Sequence, residues 1–202
     1  MKRALLRRAM RAVGFCAAVI SPAALSATAS PGNAATSYTA DPAASRLEFT
    51  GIQAGAPFKA VFHKFTAAID ISPDALADAH FDVAIDMNSV DSMDEDRDST
   101  MRGADLFDAA HFPTAHYVTH GAATKTAAGY AAGGALTLRG VTKEVPIEFT
   151  FAATAAGTKL TGTAKLKRLD FGVGQGDWKS TEGVGNDVSV AFSLVLNPRP
   201  SR

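Results

Sequence analysis

Apolar residues recur at every second position along most of this chain, and that period constrains the fold more than any other feature. Between 81 and 87, Phe81, Val83, Ile85 and Met87 share one side and Asp82 and Asp86 the other. The same alternation carries Val145, Ile147, Phe149 and Phe151, then Leu160, Gly162, Ala164 and Leu166. It returns in Val188, Val190, Phe192, Leu194 and Leu196. Tyr130, Leu136 and Leu138 form another such face, and Leu47 with Phe49 a shorter one. Residues 61–71 read as one longer, less tidy strand with Phe65, Ala67, Ile69 and Ile71 in phase. A strand puts positions i, i+2 and i+4 on one side, whereas a helix of about 3.6 residues per turn would scatter them. Turn signals at 72–74, 128–129 and 156–157 join these strands as antiparallel neighbours.

The expected class is all-β. About eight one-faced strands must close into an antiparallel barrel or stack as a sandwich to hide their apolar sides. The only helical signal is a short insert near 94–110, ended by Pro113. The inward faces mix large residues with Ala67, Ala132, Gly134, Ala153, Gly162 and Ala164. Small inward residues leave room for a guest, or they interlock with large ones across a filled core. Alternation alone leaves both open.

The first residues follow a different rule. Lys2, Arg3, Arg7, Arg8 and Arg11 form a basic head, followed by an apolar stretch over 12–27 that is too short to span a bilayer. Ala27-Thr28-Ala29 offers a small-x-small cleavage site. Residues 1–29 are therefore expected to be a signal peptide, 30–36 a disordered lead-in, 37–197 the domain and 198–202 a tail. Arg7-Arg8 leaves twin-arginine export open beside the general route. The expected location is the periplasm. The only cysteine, Cys16, falls in the removed segment, which leaves no thiol or disulfide chemistry. Losing five basic residues changes 20 basic against 20 acidic to 15 against 20. A mildly acidic chain is not a nucleic-acid binder by charge. No later apolar run is long enough to give the mature chain an integral membrane segment.

Asp94, Asp96, Asp98 and Asp105 invite a calcium-loop reading. Such a loop needs glycine at its sixth position, glutamate at its twelfth and a helix on each side. Here those positions hold Ser99 and Asp105, and a strand precedes them. The acids fit a helix start better, with Asp94 or Asp96 as its cap. His116 and His120 lie roughly 13 Å apart along one strand, too far to share a zinc ion. His63 reads as a core or rim histidine, and His111 belongs to the Pro113 turn. The glycines of 172–176 open no helix, so they shape a loop rather than a nucleotide site. No G-x-S-x-G elbow occurs. No catalytic residue, metal site or cofactor is expected.

Five segments together carry a family signature: Ser45–Phe58, Phe81–Ser92, Arg97–Ala115, Gly134–Phe149 and Leu169–Trp178. From about Ser37 to Leu196 the chain resembles the YceI family of secreted bacterial proteins. The resemblance implies a lipocalin-like barrel around a long apolar ligand, a polyisoprenoid or isoprenoid quinone, and supplies no catalytic residue to carry over. The chain departs from the family at Ala60, usually glycine there, and at Leu106, often tryptophan. On this reading the lipid contacts Phe49, Phe65, Ile69, Phe81, Ile85, Tyr130, Leu138, Phe149, Phe151 and Phe192. Phe107, Phe112 and Trp178 are expected at the mouth. The rival is a packed, non-enzymatic barrel that docks a partner, in a membrane redox system or a stress response. Whether the protein forms a homodimer is left open.

Overall fold

The computed structural model describes residues 36–72, 75–154 and 157–199. The expected signal peptide, the lead-in up to residue 35 and residues 200–202 of the tail lie outside the described residues, as do 73–74 and 155–156, which hold parts of two expected turns.

Among the described residues, twelve strands form one antiparallel sheet. They are β1 (Thr36–Ala40), β2 (Arg46–Gln53), β3 (Ala56–Phe62), β4 (Phe65–Ser72), β5 (Ala75–Asp86) and β6 (Val90–Asp91). After the insert come β7 (Thr114–Lys125), β8 (Tyr130–Leu138), β9 (Val141–Glu144), β10 (Ile147–Thr154), β11 (Gly157–Lys167) and β12 (Asp187–Pro198). Consecutive pieces run end to end: β1 with β2, β3 with β4, β5 with β6, and β9 with β10. The twelve strands therefore make eight staves, each hydrogen-bonded to the next in chain order. The last stave closes on the first, because β12 pairs with β2 through Ser189–Ser193 and with β1 through Leu196–Pro198. The structure is a closed eight-stave, all-β, up-and-down barrel, and closure removes the sheet edges that would otherwise be exposed.

The interruptions are locally satisfied. Between β1 and β2, the Asp41 amide donates to Val195 O, and Ser45 Oγ accepts from the Val195 amide. The expected single strand over 61–71 is broken at His63–Lys64. One extra residue there lets both Phe62 and Phe65 point inward although their positions differ by an odd number, as in a β-bulge. Ser89 repairs the break: its carbonyl accepts from the His63 amide, and its Oγ from the Lys64 amide. His63 is exposed rather than in the core, and its Nε2 lies 2.8 Å from Asp91 Oδ2.

The helical part of the insert is shorter than expected. Helix α1 spans Glu95–Arg102, not the whole of 94–110, and residues beyond it form turns. Asp94 is its cap, accepting from the Arg97 amide at 3.1 Å. Glu95, Asp96 and Asp98 occupy the first turn, where the positive helix end favours acids. Gly103 closes the helix with its amide on Thr100 O. Met101 is the only apolar side chain α1 buries, so packing does not extend the helix further.

Candidate functional site

The two ends of the barrel are built differently. At the end where β4 is followed by β5, β7 by β8 and β10 by β11, the interior is filled. Ile69, Ile71 and Leu160 are 0 % exposed, and Leu196 is 2 % exposed. Phe149 packs edge-on to Phe81 at 4.9 Å and stacks on Tyr130 at 5.7 Å, while Phe151 meets Tyr38 at 6.1 Å. Two small residues expected to leave space are instead closed by rings. A Cβ on Gly134 would collide with Tyr117 Oη, and one on Gly162 with Phe192 and the Glu148 carbonyl. The Tyr117 hydroxyl donates to Val145 O, and burial pushes its pKa upward, with the Glu144 charge adding to the effect.

Those rings floor an apolar cavity of about 210 Å³ that occupies the other half. Of the ten residues expected to contact lipid, Phe49, Phe65, Phe81, Ile85, Leu138 and Phe192 line it. Ile69, Tyr130, Phe149 and Phe151 do not: they belong to the filled end. Phe107 of the insert lines the cavity. Phe112 lies outside it, against the β8–β9 turn at Gly140, and Trp178 lines a separate groove with Gln53, Ala54 and Val184.

Sequence reading missed Phe58, Phe62, Met101 and Leu106, all of which line the cavity. The signal for the first two was present, since Phe58, Ala60 and Phe62 alternate along β3. They join Phe49 and Phe107 in an aromatic cluster: Phe49 lies 6.0 Å from Phe58 and 5.7 Å from Phe62, and Phe107 6.2 Å from Phe62. Leu106, which lines the same cavity, stands where the family resemblance puts a larger tryptophan.

Two connections cover the cavity. The insert contributes Met101, Leu106 and Phe107, and the loop between β11 and β12 contributes Val173, Val184 and Gly185. Arg168 holds that loop in shape. It is 5 % exposed, and its guanidinium donates to the carbonyls of Val173, Ser180, Val184 and Gly185. Burial lowers its pKa, yet a guanidinium stays charged, and four carbonyl dipoles replace the water it has lost. Nothing in the sequence marks Arg168 as buried, because its partners are backbone atoms that the fold brings together.

The acids of the insert are occupied in folding. Asp98 is buried and accepts from the Ser92 amide and hydroxyl at 2.8 and 2.6 Å. Four histidines each meet one carboxylate: His63 with Asp91, His111 with Asp108, His116 with Asp82 and His120 with Glu144. Among the described residues, no three His, Cys, Asp or Glu side chains gather as a metal-ligating group. Among them, too, no helix is long and apolar enough to cross a membrane.

Residues 38–196 match the family described as YceI-like domain. A UPF0312 protein of Vibrio cholerae serotype O1 is 30% identical over 121 residues, 57% of this chain and 64% of that protein. The chain thus spans just under two thirds of the length of such curated relatives. The crystal structure of Burkholderia cenocepacia BcnA superposes with a TM-score of 0.74 at 30% identity, over 78% of this chain and 99% of that one. A polyisoprenoid binding domain from Saccharophagus degradans, implicated in plant cell wall breakdown, shares the fold with a TM-score of 0.55 at 18% identity. That likeness covers 81% of this chain and 99% of the other.

Proposed function

The chain belongs to the family of YceI-like domains, and from that premise we propose that it binds and carries a long apolar ligand, a polyisoprenoid or isoprenoid quinone, in the periplasm. The observation that carries the reading is the half-hollow barrel, whose cavity is lined almost wholly by aliphatic and aromatic side chains. Such a lining offers little to a charged or hydrogen-bonding substrate and much to a hydrocarbon. Each methylene buried from water contributes about 0.8 kcal/mol, so roughly eight of them hold a chain by about 6 kcal/mol. An apolar cavity of about 150 Å³ takes benzene, so this one encloses roughly eight to ten carbons. A longer chain continues out through the mouth or parts the aromatic cluster. The shared barrel of the Saccharophagus degradans domain supports the fold's capacity for such a ligand.

Export rests on the basic head and short apolar run of residues 1–29. Intact-mass spectrometry of periplasmic material is expected to find a chain starting at Ser30. The ligand is tested by extracting the purified protein with organic solvent and analysing the extract by mass spectrometry. An isoprenoid at near-equimolar amount supports the carrier. An extract free of lipid, from protein that also fails to take up added isoprenoid, overturns it in favour of a partner-docking barrel.

A further inference from the structure

Three seams close the mouth of the cavity, and they differ in what holds them. The insert meets the β11–β12 loop through backbone bonds: the amides of Gly174 and Gln175 both donate to Asp105 O, at 2.9 and 2.8 Å. Arg139 spans the same seam, donating to Ala104 O at 2.6 Å and to Gly172 O at 3.0 Å. That loop meets the β2–β3 hairpin through two more, Ala54 N to Gly183 O and Gly185 N to Ile52 O, with a bridge between Gln53 and Val184. The third seam lies between the hairpin and the insert. Among the described residues no hydrogen bond crosses it. It is closed by the Arg97 guanidinium over the Phe58 ring at 5.0 Å and by Phe107 against Phe49 and Phe62.

We infer that the ligand enters and leaves through this third seam, between α1 and the β2–β3 hairpin, with Arg97 on Phe58 as its latch. The inference rests on the cavity being the binding site. Opening either of the other seams breaks backbone hydrogen bonds, whereas opening this one costs a cation–π contact and aromatic packing. Arg97 Nε is buried without an acceptor, as is Arg139 Nε in the first seam, so the seams are told apart by the backbone hydrogen bonds, which only the other two have. Asp94 Oδ2, 2.7 Å from Arg97 Nη2, keeps the guanidinium at the seam. Phe58, Phe62 and Phe107 face both the seam and the cavity, so rotation of these rings joins one to the other.

The test is the exchange rate of 1-fluoronaphthalene, a neutral probe of about the cavity's size, measured on the purified protein by fluorine NMR. Arg97→Ala is expected to speed release about tenfold, in line with a partly desolvated cation–π contact. Its Kd should stay within about threefold of wild type, because an opened seam speeds entry and exit together. Phe58→Leu, which leaves the helix and its cap untouched, is expected to speed release as well. Arg139→Ala should accelerate exchange less than either. Wild-type release in both seam variants, or a larger acceleration in Arg139→Ala, overturns the portal while leaving the cavity as the binding site. No bound probe in the wild type overturns the cavity reading and the portal with it.

Discussion

The filled and hollow ends of this barrel are written in the same alternating code, yet one is solid and the other encloses about 210 Å³. At the cavity floor, two glycines are closed by rings from the neighbouring strand, Gly134 by Tyr117 and Gly162 by its cross-strand partner Phe192. At the hollow end, the four rings of the aromatic cluster pack against one another and line the wall. The roof there consists of connections, the insert and the β11–β12 loop, rather than strands. A small inward residue therefore marks space only where no ring of a neighbouring strand folds over it.

The sharpest way to break this contrast is to truncate one leucine at each end. Leu160→Ala, at a position with no exposure, is expected to cost about 2–5 kcal/mol in urea unfolding. Leu138→Ala, on the cavity wall, should cost clearly less, since that side chain already lacks contacts on one side. Equal losses would mean that the cavity collapses in solution.

Removing the clamp of the hollow end comes next. Arg168→Ala strips donors from four loop carbonyls, and a buried group left unpaired costs about 1–3 kcal/mol. Water entering the loop limits the total, so a loss of about 2–4 kcal/mol is expected, with hydrogen-exchange protection falling first in residues 172–185. Uniform loss of protection around the barrel would show that the loop is not a separate cover.

Enlarging a small residue separates the closed glycine from the open cavity by the size of the loss. Gly134→Leu is expected to destabilise strongly, because its Cβ alone collides with Tyr117. Ala164→Phe points into the cavity and should change the stability of the empty protein by less than about 1 kcal/mol while displacing bound lipid. Comparable destabilisation by both would argue that the interior is filled throughout.

The smallest effect concerns acid. The Arg97 amide, then its guanidinium, hold the Asp94 carboxyl below its usual range. A carboxyl with a depressed folded pKa stabilises fully above its unfolded value, near 4, and loses that contribution as pH falls through the folded value. Asp94→Asn, which keeps a capping side chain, should therefore flatten the decline of melting temperature below about pH 4. An unchanged acid limb would assign that decline to other carboxylates, with Glu48 and Asp91 also held low by their partners.

Most of the fold could be read in advance because alternation is a local property. Which face of each strand turns inward follows from spacing alone, and burial agrees at Phe81, Leu136, Phe149 and Leu194. The helix start at Asp94 was legible for the same reason, since capping depends on a few adjacent residues. The insert's helix was expected to run too far because its end is set by Gly103 and by how little apolar surface it buries. Phe58 and Phe62 were overlooked because the odd step at His63–Lys64 shifts the phase between β3 and β4.

The sequence by itself determined antiparallel strands, their inward faces and the acidic insert, all consequences of which neighbours share a side, while barrel rather than sandwich followed from the family resemblance. Only the tertiary structure decided where the barrel is empty. Whether Ile69 or Phe65 meets a cavity depends on what stands across the interior, roughly 10 Å away and many residues distant in the chain. The same holds for Arg168, whose burial is tolerable only because the loop folds four carbonyls around it. Period two places a side chain inside; volume across the barrel, which no single strand carries, sets whether it touches a neighbour or a guest.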